Sequence, residues 1–122
     1  MVKLTFCLRR RPGMSFEEFS AYWGDVHAPL VAERAPLLGI RRYVQVRTAD
    51  VPALHDALRR RNGGSPEPFD GIAELWFDDV ESFTASRDPA AQAASRELLE
   101  DEQRFIDLAA SPMWLGDERV IV

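Results

Sequence analysis

Residues 2–9 alternate strictly. Val2, Leu4, Phe6 and Leu8 fall on one side, and Lys3, Thr5, Cys7 and Arg9 on the other. A period of two is that of a half-buried strand. Pro12-Gly13 ends the pattern. Ser15 and Glu18 then stand in the S-x-x-E spacing of a capping box, which predicts a helix from Phe16. Its apolar positions run Phe16, Phe19, Trp23, then Val26 or His27, then Leu30. Gly24 and Pro29 are expected to interrupt or bend it. A second helical stretch is predicted over Pro29–Leu38, with Gly39 as its C-terminal stop.

Ile40–Arg47 alternates again and reads as a second strand, and Ile72–Phe77 as a third. Between them Val51–Arg61 has the spacing of a short amphipathic helix, with Leu54 and Leu58 on one side. Asn62–Pro68, rich in Gly and Pro, reads as a loop and as the segment most suited to movement. Asp78 or Asp79 is positioned to cap a helix holding Val80 and Phe83. A longer helix is predicted over Pro89–Leu108, with proline in its first turn. Trp114–Val122 is expected to be the last strand. The order predicts an α+β fold of the ferredoxin-like βαββαβ type, one antiparallel sheet with helices on one face, with residues 1–122 forming a single domain.

Helices cover only one face of such a sheet. If that face takes the most apolar side of each strand, strand one gives it Val2, Leu4, Phe6 and Leu8. Strand two gives Ile40, Val44 and Val46, and strand three gives Ala73, Leu75 and Phe77. The other face then carries Thr5, Cys7, Arg9, Tyr43, Gln45, Ile72, Glu74 and Trp76, a mixture of aromatic and hydrogen-bonding groups. Such a face is either solvated or closed by a second copy of the same sheet. The second is preferred, because Tyr43 and Trp76 would otherwise lie in water. A homodimer is therefore expected, its two sheets forming a barrel-like shell.

Composition narrows the partners. With 46% apolar residues, the chain of 122 residues has material for a core. A net charge of −5 argues against nucleic acid. No window is apolar enough to span a bilayer, and the N-terminal stretch lacks a secretory pattern, so a cytoplasmic location is expected. The lone Cys7 leaves no disulfide and no thiolate zinc cluster, and two separated histidines do not make a metal triad. There is no dinucleotide or phosphate-binding glycine motif, so no cofactor and no metal are expected.

The chemistry concentrates in FEEFSAYWGDVHAPL, residues 16–30, where His27 follows Trp23 by four positions and shares its face in a regular helix. An imidazole beside aromatics tends to be neutral and able to accept a proton, which suits it as a general base. Asp25 can orient it only if the helix unwinds. Tyr43 offers a hydrogen bond to a ligand carbonyl or phenolate, with Gln45 steadying it, or else both serve dimer packing. Trp76 reads as a wall on which a planar substrate stacks. Glu74 either pairs with Arg9 or Arg42 or lies in the cavity as a second carboxylate. Cys7 reads as a small hydrophobe, and His55 and Arg59–Arg61 as surface.

The strand exit RRRPGMSFEEF, then YWGDVHAPL, then RYVQV, then the acidic helix start DDVESF together resemble the EthD family, over nearly the whole chain. The resemblance implies a dimeric α+β barrel. It matches the family's helix histidine to His27, its aromatic pair to Tyr22 and Trp23, and its second motif to Tyr43 and Gln45. It also implies oxidation or decarboxylation of a small aromatic or polyketide-like molecule in a cavity between sheet and helices. Combined with the residue reading above, from which Glu74 and Trp76 come, His27 and Tyr43 would be catalytic, and Tyr22, Trp23, Gln45, Glu74 and Trp76 would bind substrate. Two alternatives are a non-catalytic accessory that binds a hydrophobic intermediate and a haem-dependent enzyme ligated by His27.

Overall fold

The computed structural model describes residues 1–84 and 88–122. Strands β1 (Val2–Leu8), β2 (Arg42–Arg47), β3 (Gly71–Phe77) and β4 (Met113–Asp117) form one antiparallel sheet in the order β2-β3-β1-β4. The helices are α1 (Phe16–Tyr22), α2 (Ala28–Leu38), α3 (Pro52–Arg61), α4 (Val80–Thr84) and α5 (Pro89–Glu102). This is the ferredoxin-like α+β fold, with α3 as an insert between β2 and β3. Among the described residues no helix is long and apolar enough to cross a membrane.

Local chemistry sets the element ends. The Ser15 hydroxyl accepts from the Glu18 N–H at 3.1 Å, and the Glu18 carboxylate accepts from the Ser15 N–H, so the capping box forms. Asp79 accepts from the Ser82 N–H at the start of α4, and Asp88 from the Ala90 N–H at the start of α5. At the end of α2, Gly39 takes φ +74°, the left-handed value that closes a helix. The Gly39 N–H donates to the Pro36 carbonyl and the Ile40 N–H to that of Ala35, the paired bonds of a Schellman motif.

That motif decides the facing of β2. Ile40 packs on the helix side beside Val2, Leu4 and Phe77, but as part of the helix-closing turn. The strand pleat starts two residues later, so Ile40 does not set its parity. In β2, Tyr43 pairs with Leu75 and Gln45 with Ala73, while Val44 opposes Glu74 and Val46 opposes Ile72. Tyr43 and Gln45 therefore face the helices, and Val44 and Val46 lie on the open face, the reverse of the sequence expectation. Strands one and three face as expected. Two elements are shorter than their patterns suggested. Helix α5 ends at Glu102, after which the chain turns to bury Phe105 and Ile106 before a 3₁₀ turn at Leu108–Ala110. Strand β4 ends at Asp117.

The core sits between sheet and helices. Phe6, Leu8 and Ala73 meet Phe19, Trp23, Phe105 and Ile106, with the Phe19 ring 5.4 Å from Trp23 and 5.8 Å from Phe105. Helix α5 turns Ala91, Ala94, Leu98 and Asp101 inward. The spacing is that of one helical face, and its last member is a carboxylate.

Candidate active site

The sequence WGDVH forms a turn of π-helix (Trp23–His27) that joins α1 to α2 without a break. The Ala28 N–H donates to the Trp23 carbonyl, five residues back. Pro29, next in line, has no N–H to donate. The wider turn brings Trp23 and His27 inward, 2% and 5% exposed, and leaves Gly24, Asp25 and Val26 in solvent. Asp25 thus does not orient the imidazole.

That task falls to Asp101, 2% exposed at the end of α5. One carboxylate oxygen lies 2.7 Å from His27 Nδ1, and the other accepts from the Tyr22 hydroxyl at 2.5 Å and from Arg104 at 3.0 Å. Burial pushes the Asp101 carboxyl up, but hydrogen bonds from Tyr22, His27 and Arg104 outweigh it and hold the group below its ordinary range. Asp101 is therefore ionised and can only accept, so His27 Nδ1 carries the proton. Burial pushes the imidazole pKa down, and the opposing pull of Asp101 does not restore it, so His27 is neutral near pH 7.

Its other nitrogen, Nε2, has no protein partner among the described residues. Yet no fully buried side-chain nitrogen or oxygen lacks a partner there. Nε2 is therefore not sealed off, and the His27 ring lines a cavity of about 80 Å³ between sheet and helices. Trp23 and His27 from the π-turn, Tyr43 from β2 and Glu102 from α5 supply its functional groups, and Leu4, Phe6, Leu8, Ala73, Leu75 and Met113 of the sheet form its apolar floor. The Tyr43 hydroxyl accepts from Gln45 Nε2 at 2.9 Å and keeps its own proton, with burial raising its pKa. The Gln45 amide also donates to the Trp23 carbonyl at 3.0 Å, tying β2 to the π-turn. The Glu102 carboxyl is pushed up to about 7, chiefly by burial and then by the charge of Asp101.

The residues singled out from sequence thus separate into two groups. His27, Trp23 and Tyr43 line one cavity, and Gln45 braces it. Tyr22 stands behind the imidazole on Asp101. Glu74 and Trp76 lie on the other side of the sheet. Glu74 pairs with Lys3 at 2.6 Å, not with Arg9 or Arg42. Trp76 lies beneath the cations of Arg42 and Lys3, 4.8 and 5.4 Å from its ring, and its indole N–H donates to Glu118. Cys7 is buried on the open-face side of β1, where desolvation raises its thiol pKa, contrary to what a nucleophile needs. Asp101 and Glu102 were not singled out from sequence. Their signal is the inward stripe of α5, which runs on from Leu98 into two carboxylates.

Beyond the Gln45–Trp23 bond lies a groove of about 540 Å³, walled by Phe16, Ser20, Trp23, Gln45 and Arg47. Trp23 borders both spaces. Another cleft of about 330 Å³ runs beside α3 past His55, Arg59 and Phe69.

Residues 11–109 match the family model described as the EthD domain. The chain is 30% identical over 114 residues to a protein of Paecilomyces divaricatus named decarboxylase AgnL1, covering 93% of this chain and 75% of that one. It is 28% identical over 108 residues to dehydratase ustZ of Ustilaginoidea virens, covering 88% and 76%. Among solved structures, an EthD family protein from Bacillus halodurans superposes with a TM-score of 0.63 at 24% identity, covering 98% and 99% of the two chains. A dimeric protein of ferredoxin-like fold from Bacteroides fragilis superposes with a TM-score of 0.59 at 13% identity, covering 96% and 95%.

Proposed function

The chain belongs to the EthD domain family, and we propose that it is an acid–base enzyme that decarboxylates a small hydroxyaryl carboxylate without a bound cofactor. The observation that carries the reading is the imidazole of His27, fixed through Nδ1 by a buried carboxylate, its Nε2 without a partner among the described residues and its ring lining an apolar cavity. A neutral imidazole held this way is a general base of defined tautomer. Tyr43, with its proton intact and its oxygen held by Gln45, is a donor for the oxygen on which charge develops. The names of two relatives, decarboxylase and dehydratase, support a reading of this class.

The cavity is smaller than the roughly 300–1,000 Å³ of common ligand pockets. The cavity therefore holds only the reacting end of the substrate, with the remainder outside it. A space of about 80 Å³ is also far too small for a macrocycle, which counts against a haem on His27. The test is turnover of hydroxyaryl carboxylates of one to three rings, followed by CO2 release. His27→Gln, which keeps a polar side chain at the site, is expected to lower kcat by at least about a hundredfold with little change in thermal stability. An inert wild type, or a fully active variant, overturns the reading. Saturable binding without turnover in the wild type would favour the accessory role.

The open sheet face forms the other half of the proposal. It carries Trp114, 52% exposed, and Val46, 45% exposed, beside Val44, Ile72 and Trp76. A second copy seated face to face would withdraw these groups from water. The Bacteroides fragilis protein of similar fold is described as dimeric. Sedimentation is expected to give a particle of twice 13.8 kDa at micromolar concentration, and Val46→Lys to shift it towards the monomer. A wild-type monomer would rule the arrangement out.

A further inference from the structure

Resting on that reading, we infer that Glu102 is the proton donor of the reaction: it enters the cycle protonated and gives its proton to the substrate carbon that bears the departing carboxylate. Three features single it out. Its side chain lines the same cavity as His27 and Tyr43. Its carboxyl has no hydrogen-bond partner among the described residues, and it is not sealed off either, since no fully buried side-chain oxygen there lacks a partner. It is neither capping a helix nor pairing with a cation, so no structural task occupies it.

The neutral form also fits the ligand. Asp101, next to it on α5, already holds a negative charge behind the imidazole. An ionised Glu102 would set a second anion against an incoming carboxylate, whereas a protonated one offers it a donor. The groups that face Glu102 are Asp101 on its own helix, the neutral His27 from the π-turn and the neutral Tyr43 from β2. Strands β1, β3 and β4 bring only apolar side chains to the cavity.

His27 Nε2 takes the proton of the phenol adjacent to the carboxylate, and the ring carbon bearing that carboxylate takes the proton of Glu102, forming a C–H bond and a ring ketone. The carbon–carboxylate bond then breaks, CO2 leaves, and the bonding pair returns to the ring, restoring the phenolate. The imidazolium gives its proton back to the phenolate, and water-borne protons recharge Glu102. The net change is carboxylate plus one proton to arene plus CO2, with no oxidant or reductant.

The experiment uses the full chain, dihydroxybenzoate as probe, and kcat measured across pH for the wild type, Glu102→Gln and Glu102→Asp. The wild type is expected to lose activity as pH rises through about 7, where the carboxyl ionises, and as pH falls far enough to protonate His27. Glu102→Gln is expected to lose at least about a hundredfold in kcat and the alkaline fall with it, with substrate affinity retained, and Glu102→Asp to recover part of the rate. Full activity and an unchanged alkaline fall in Glu102→Gln, beside an inactive His27→Gln, would overturn this inference alone. An inert wild type would overturn the parent reading and this inference together.

Discussion

Replacing Asp101 with alanine is expected to cost about 3 kcal/mol of stability and about a thousandfold in turnover. The carboxylate is 2% exposed and accepts from Tyr22 at 2.5 Å, from His27 at 2.7 Å and from Arg104 at 3.0 Å. Alanine strands the buried Nδ1–H, at a cost of roughly 1–3 kcal/mol, and takes the acceptor from the half-buried Tyr22 hydroxyl at a smaller one. Arg104 is largely in solvent, so its share is small. Asp101→Asn separates the two losses. The amide keeps the shape and one accepting oxygen, so most of the stability should survive. Its NH2 group, however, permits the tautomer with the proton on Nε2, which leaves the cavity without a base. Denaturant midpoints and kcat measured on both variants test this. A fully active Asn variant would remove Asp101 from the mechanism. The pH dependence has a sign as well. The Asp101 pKa is held below its ordinary 3.8 in the fold, so its contribution is complete above that pH and disappears as acid protonates the folded form. The alanine variant should lack this acid-side loss.

The second large effect falls on a residue with no functional group. A Cβ on Gly71 would lie 2.5 and 2.7 Å from two ring carbons of Trp23 and 3.1 Å from the Val46 carbonyl. Those separations are far inside van der Waals contact, and the indole is 2% exposed, so relief requires the ring to shift into one of the two spaces it borders. Overpacking of this kind costs about 3 kcal/mol. The strain would be delivered to the first residue of the π-turn, and through it to His27. Gly71→Ala is therefore expected to lower the unfolding midpoint sharply and to disturb the cavity. Trp23→Phe removes the two offending carbons, so the double variant should recover at least about 1 kcal/mol relative to additivity. Strict additivity would mean that the indole yields, and that Gly71 is not what holds it in place.

How far the sequence speaks for itself depends on the range of the forces involved. The alternation of β1, the capping box at Ser15 and the stop at Gly39 are local, decided by neighbours a few residues apart, and all three form as read. The facing of β2 is not local. Hydropathy assigned Val44 and Val46 to the helix side on the assumption that the covered face takes the greasier residues. Here the covered face at β2 is a polar brace, Tyr43 and Gln45, and the open face carries apolar residues of its own. The imidazole's partner was hidden for a related reason. Asp101 lies 74 residues from His27 in a stretch, EDE, that looks like ordinary solvated helix. Only the helical phase from Ala91 through Ala94 and Leu98 marks it as inward. Glu74 and Trp76, by contrast, lie on the face that their alternation predicts, and His27 lies on the opposite one.

The widened turn at Trp23–His27 makes the imidazole's bearing a matter of counting. Such a turn holds one residue more than ordinary pitch, and one residue of winding is about 100° of rotation. Rewound tightly, the same letters would turn α2 by about that angle relative to α1 and change which groups of α5 and the sheet the ring meets. The base is thus set by the phase of a helix as much as by the identity of a side chain, and a relative that keeps the histidine but loses the extra residue would keep the letter without the aim.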